Sequence, residues 1–130
     1  MKVVTPDGWP RPPGYSHAVA ARGTTVFISG QIGWDQHGNF VAHELAGQVR
    51  RALENIVTIV AAAGGLPEHV TRLTWYVVDK RDYVANAKAI GEAYRAVMGK
   101  HFPAMSVVEV SALVEDRALV EIEATAVVPP

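Results

Sequence analysis

The sequence predicts an α+β domain: one mixed sheet with two helices packed on one of its faces. Three observations carry this. The elements run strand, strand, helix, strand, helix, strand, strand, an order that favours a single sheet over alternating βα units. One segment, His43 to Ala63, repeats apolar residues at helical spacing. The C-terminal runs Phe102 to Val110 and Val120 to Ala126 read as buried strands, yet the second keeps Glu121 and Glu123 inside an apolar stretch. A strand interior that retains acids must pair them, protonate them or use them.

The 130 residues form one domain by length, 1–130, with a core large enough to need no staples. Residues 1–14 contain Pro6, Pro10, Pro12 and Pro13, and are expected as an extended arm with at most an edge strand near Lys2 to Thr5. His17 to Ala21 and Thr24 to Ser29 read as strands, with a turn signal at Arg22-Gly23. Gly30 to Asn39 reads as a glycine loop. In the long helix Leu45, Val49, Leu53, Ile56, Val60 and Ala63 share a stripe, Arg50, Arg51 and Glu54 lie off it, and Gly64-Gly65 stops it.

After Pro67, Val70 to Val78 is rich in branched and aromatic residues and reads as a strand. Asp79 or Asp82 caps a second helix whose apolar face is Tyr83, Ala87, Ile90, Tyr94 and Val97, ending at Gly99. Met105 to Val110 and Ala118 to Val127 are the last strands, joined through a turn at Glu115-Asp116. Two helices cover only one sheet face. Apolar residues on the other face imply a partner copy of the chain.

Hydrophobic residues make up 49% and charged residues 19%, which excludes a disordered chain. The net charge of −1 and an isoelectric point near 6.5 supply no basic excess for phosphate, so nucleic acid is not an expected partner. The absence of cysteine removes disulfides, thiolate nucleophiles and thiolate metal sites. His37, His43, His69 and His101 show no ligand spacing, so no metal is expected. No run suggests a signal peptide or a membrane span, and cytoplasmic residence is the expectation. Gly30, Gly33 and Gly38 make no dinucleotide fingerprint, and Ser29 and Ser106 lack a nucleophile-elbow context.

The motifs Gly14-Tyr15-Ser16-His17-Ala18, Ser29-Gly30-Gln31-Ile32, Gln48 to Asn55, Ala62-Ala63-Gly64, Phe102-Pro103-Ala104-Met105-Ser106 and Val120 to Ala126 occur together and in order. From Tyr15 onward the chain resembles the Rid family of reactive-intermediate deaminases, also called the YjgF group. The resemblance implies a chorismate-mutase-like fold and a homotrimer with a central β-barrel and a small-molecule cleft at each subunit interface. It also implies cofactor-free hydrolysis of 2-imino acids or their enamine tautomers.

Residue by residue, the resemblance makes Tyr15 the cleft tyrosine, Ser29 and Gly30 the cleft's serine-glycine pair, and Glu121 the acid that positions or activates water. Met105 stands where the family carries an arginine that clamps the substrate carboxylate. A guanidinium offers a carboxylate a bidentate fork and a thioether offers nothing comparable. The chain therefore resembles an arginine-less subgroup. Its second helix is one residue longer than is typical, so the family's cleft asparagine falls at Lys88 or Ala87 rather than Asn86, and no residue is assigned to it.

From the residues alone, Glu121, Glu123 and Glu109 read as solvated or paired acids; the resemblance separates Glu121 from the other two. His17 adds a titratable group near the expected cleft, as general acid or base or as a hydrogen-bonded strand-end histidine. Trp34 either walls a ligand pocket or packs as a lid on the glycine loop. Backbone near Ser29-Gly30 and Ser106 is expected to contact polarised substrate atoms. Three functions are open: an enamine or imine hydrolase with altered specificity, a non-catalytic binding trimer, and a ribonuclease. The charge balance weighs against the last.

Overall fold

The computed structural model describes all 130 residues. Six strands and three helices appear in the order β1 (Lys2–Val4), β2 (Ala18–Ala20), β3 (Thr24–Gln31), α1 (Leu45–Ala62), β4 (Val70–Val77), α2 (Lys80–Ala85), α3 (Ala87–Met98), β5 (Ala104–Glu109) and β6 (Val120–Val128). A mixed four-stranded sheet runs β3-β6-β4-β5, antiparallel except for the parallel β4/β5 pair. That parallel pair needs a crossover, which α2 and α3 supply.

The expected single sheet is corrected to two. β2 pairs with β1 of the N-terminal arm, Val3 opposite Val19, and β3 joins the main sheet instead. At Gly23 the chain passes so close to the end of β6 that a Cβ would overlap the Val128 carbonyl, so the turn signal marks a crossing and not a hairpin. The arm is anchored further along. The Ser16 amide donates to the Pro103 carbonyl at 3.0 Å and its hydroxyl to the Phe102 carbonyl at 2.5 Å. Ser16 is thereby buried beside the start of β5.

The core lies between the sheet and α1 with α3. Val49, Leu53, Ile56 and Val60 of α1 are fully buried against Val70, Leu73 and Val77 of β4 and Val120 and Ile122 of β6. Each such side chain contributes about 1.5–3 kcal/mol by leaving water. The α1 end is a Schellman closure: Gly64 takes φ 85°, its amide reaches the Ala61 carbonyl, and the Gly65 amide reaches that of Val60. Ala63, expected on the buried stripe, is instead the exposed cap residue.

The second expected helix is two. Asn86 leaves helical geometry at φ −110°, ψ 20°, and its side-chain amide donates to the carbonyl and the carboxylate of Asp82. A local side chain that bonds its own preceding turn competes with helix continuation. Asp79 caps α2 by accepting from the Arg81 amide at 2.9 Å.

β6 explains the acids in its apolar run. Val120, Ile122, Ala124 and Ala126 point to the helices and are buried, while Glu121, Glu123 and Thr125 point to the other face. The strand is buried on one face only. That second face carries Phe27, Arg72, Thr74, Tyr76 and Val108 as well. It is more polar than expected, but Phe27 is 82% exposed upon it.

Candidate functional site

All the sequence-predicted residues but Trp34 gather in two clusters. The first is on the helix-free face, where β3 meets β6. The β3/β6 register shifts between Ile28 and Gln31, and this irregularity brings Gly30 over Glu121. A Cβ at Gly30 would lie 2.6 Å from the Glu121 Cδ, so only glycine admits the carboxylate there. Gly30 belongs to β3, and the loop expected from residue 30 begins after Gln31. Glu121 is half-buried and neither hydrogen-bonded nor ion-paired within the chain.

Glu123, two residues on and on the same face, accepts a 2.7 Å hydrogen bond from the Tyr76 hydroxyl. Giving up that hydrogen bond disfavours the phenolate, and Tyr76 is held above the ordinary tyrosine range. The cross-strand neighbour thus commits one acid and leaves the other free. Ser29 and Ser106 are exposed on this face, Ser106 in register with Thr74. Glu109 accepts from the Lys80 amide at 2.9 Å and so caps α2.

The second cluster is at the opposite sheet edge. Met105 is in register with Leu73 and points to the helix side. It lines a cavity of about 150 Å³ with Trp75, Tyr83, Tyr94, Phe102 and Arg95. Gly14 touches the same cavity. Tyr15, next in the chain, is 38% exposed and meets His17 edge-on with ring centroids 6.0 Å apart. Trp9 also meets His17 edge-on, with ring centroids 5.1 Å apart. Ala87 lines this cavity, whereas the Asn86 amide is held by Asp82.

Within one chain the two clusters do not meet. Glu121 is in register with Tyr76 and thence with Val108, two strands and three residues from Met105. Strand spacing and rise place their Cα atoms roughly 14 Å apart, and the side chains point to opposite faces.

Trp34 belongs to neither cluster. Its carbonyl accepts from Asn55 Nδ2 at 2.9 Å and Arg51 Nε at 3.4 Å, and its ring tilts against Phe40. It lines a separate open cleft of about 610 Å³ with Gln31, Asp35 and Arg51. The sequence reading missed the α1 side chains that hold these loops. Gln48, 1% exposed, donates to the Ala42 and Arg117 carbonyls and accepts from the Leu119 amide. A polar residue adjoining the apolar stripe at Val49 is the signal that would have flagged it.

Asp35 closes the loop by accepting from the His37 and Asn39 amides at 2.8 and 3.0 Å. These bonds, that from Asn39 first, hold its carboxyl below the ordinary value of 3.8. A depressed folded value means that its contribution is present above about pH 3.8 and lost as pH falls through the lower folded value. Exchange protection of the His37 and Asn39 amides is therefore expected to collapse on acidification below that point. Asp35→Ala should lack this protection at all pH values; unchanged protection in that variant would refute the assignment.

Fold and clusters together define the class, a small α+β domain of the YjgF type. The family model described as Endoribonuclease L-PSP matches residues 10–128. The chain is 39% identical over 127 residues to the RutC family protein PH0854 of Pyrococcus horikoshii, covering 96% of both chains. It is 40% identical over 105 residues to the 2-iminobutanoate/2-iminopropanoate deaminase of Salmonella typhimurium, covering 81% of this chain and 80% of that one. The crystal structure of the Rid-family protein YyfB from Yersinia pestis superposes with a TM-score of 0.86 at 34% identity, covering 98% of each chain. That of the Escherichia coli YjgF gene product superposes with a TM-score of 0.69 at 32% identity, again over 98% of each. The chain belongs to the Endoribonuclease L-PSP family, that of the YjgF and Rid proteins. No helix is long and apolar enough to cross a membrane.

Proposed function

We propose that this protein is a cofactor-free hydrolase of an imine or enamine, acting in clefts between the subunits of a homotrimer. The observation that carries the reading is Glu121: a half-buried carboxylate pressed on Gly30, without a protein partner, in a chain 40% identical to an imine deaminase. A carboxylate so held accepts a proton from water. The oxygen adds to the C=N carbon, the nitrogen takes up protons, and collapse of the tetrahedral adduct releases ammonia and a carbonyl compound. An enamine reaches the same path after protonation at carbon. His17, beside Tyr15 on the other half-site, is the candidate proton donor to the departing nitrogen, and Ser29, Gly30 and Ser106 contact the polarised atoms.

The separation of the two clusters supports assembly. A copy that lays the Glu121 face of one chain against the Met105 edge of the next completes the site and covers Phe27. Met105 supplies no charge at the floor of its half-site, so the substrate differs from the small 2-imino acids, being larger or more apolar. In assays of ammonia release, 2-iminopropanoate is expected to be turned over at least tenfold more slowly than by an arginine-bearing relative, the loss of one charge-assisted hydrogen-bonded contact. Met105→Arg should recover part of the difference. Equal rates, or no effect of Met105→Arg on carboxylate binding, would refute the altered specificity.

The same Met105 also favours a second reading, a trimer that binds a small molecule without turning it over. Ligand binding lost in Glu121→Ala, with no turnover by the wild type, would select it. The ribonuclease reading has little support: the helix-free face carries Glu121 and Glu123, and a net charge of −1 supplies no basic excess for phosphate.

A further inference from the structure

The cavity above Met105 has a composition that the imine chemistry does not require. Its walls are aromatic: Trp75 stacks near Tyr94 with centroids 6.3 Å apart, and Tyr94 stacks on Phe102 at 5.5 Å and 14°. Burial pushes the Tyr83 and Tyr94 hydroxyls up, so both are neutral at physiological pH, and Tyr94 spends its hydrogen on the His101 carbonyl. Arg95 is then the only charged side chain on the lining.

Nothing in the chain uses that charge. The two ion pairs of the structure are Arg81–Asp79 and Arg117–Glu115, and the Arg95 guanidinium makes no hydrogen bond. Its position is specific nonetheless. The guanidinium folds back one helical turn over Gly91, where a Cβ would stand 3.3 Å from Nη1. Glycine in a helix interior is unfavourable. Here it leaves room for the guanidinium beside an apolar chamber. An arginine adjoining aromatic walls combines a planar donor fork with a low-dielectric neighbour, which strengthens its hold on an anion.

We infer that this cavity binds an apolar carboxylate, with the ring or alkyl group against Phe102, Tyr83 and Met105 and the carboxylate on Arg95. The volume of about 150 Å³ suits a branched alkyl or phenyl group. The inference deepens the hydrolase reading by giving the substrate class, a 2-imino or 2-enamino acid with a bulky apolar side chain, and it rests on that reading only for the chemical step.

Binding of stable carbonyl analogues tests it without turnover. Calorimetric titration of the protein should rank phenylpyruvate and 4-methyl-2-oxopentanoate above pyruvate, and phenylpyruvate above its methyl ester by about tenfold or more. Arg95→Gln should weaken the acid to the level of the ester while leaving the ester unchanged, with Arg95→Lys between. Gly91→Ala should raise thermal stability and ask the guanidinium to yield by only a few tenths of an ångström, so the acid should lose less affinity than in Arg95→Gln. Equal binding of acid and ester, or wild-type affinity in Arg95→Gln, would overturn the assignment. If Arg95→Gln alters binding but no imine is hydrolysed, the hydrolase reading fails and the pocket stands; if imines are hydrolysed and Arg95→Gln changes nothing, the reverse holds.

Discussion

Replacing Glu121 by glutamine is expected to lower hydrolytic turnover about 10²- to 10⁴-fold, the range of a positioned general base. The amide keeps the shape that fits against Gly30 and removes the proton acceptor. The Tyr76–Glu123 bond, two residues away, is untouched, so the unfolding midpoint should move little. Glu123→Gln is the matching control. It weakens a cross-strand hydrogen bond worth about 1 kcal/mol and leaves the water-facing acid in place, so it should alter stability more than rate. Ammonia-release kinetics and thermal unfolding on both variants decide the matter. If Glu121→Gln retains rates within twofold of wild type, or if Glu123→Gln is the more damaging to catalysis, the assignment of the two acids is wrong.

A mixture of two inactive variants is expected to recover activity. Glu121→Gln disables the carboxylate half-site, and Met105→Trp fills the cavity of the other half. If each cleft takes one half from each of two neighbouring chains, co-refolding the variants in equal amounts leaves about a quarter of the clefts with both halves intact. About a quarter of wild-type activity should then return, although neither variant alone is active. Phe27→Glu provides the converse. Phe27 is 82% exposed in the single chain, and a carboxylate at its place puts a charge on the face that assembly would bury. Sedimentation should show dissociation to monomers, and activity should fall with it. Activity in the monomer, or no recovery in the mixture, would show that one chain is sufficient.

The legibility of the chain followed the range of the interactions involved. The long helix, the strand at β4 and the two C-terminal strands were readable because their periodicity is local and repeats several times. So was the glycine pair that closes α1. The family motifs pointed to Glu121, Gly30 and Met105 individually. What they could not convey was distance: that Gly30 lies over Glu121 follows from a register shift in β3, and that Met105 faces the helices follows from its pairing with Leu73. The break at Asn86 escaped because its cause is one side-chain amide competing with an otherwise unbroken helical pattern.

The amino-acid sequence by itself determined the α+β class, the long amphipathic helix and the glycine pair that ends it, and membership in a family. Each of these depends on residue order and on side chains a few positions apart. Tertiary structure alone decided that β2 pairs with the N-terminal arm, that Tyr76 engages Glu123 and leaves Glu121 free, and that an uncommitted Arg95 stands at the mouth of an aromatic cavity. Those outcomes depend on contacts between chain segments distant in sequence, whose geometry no local period encodes.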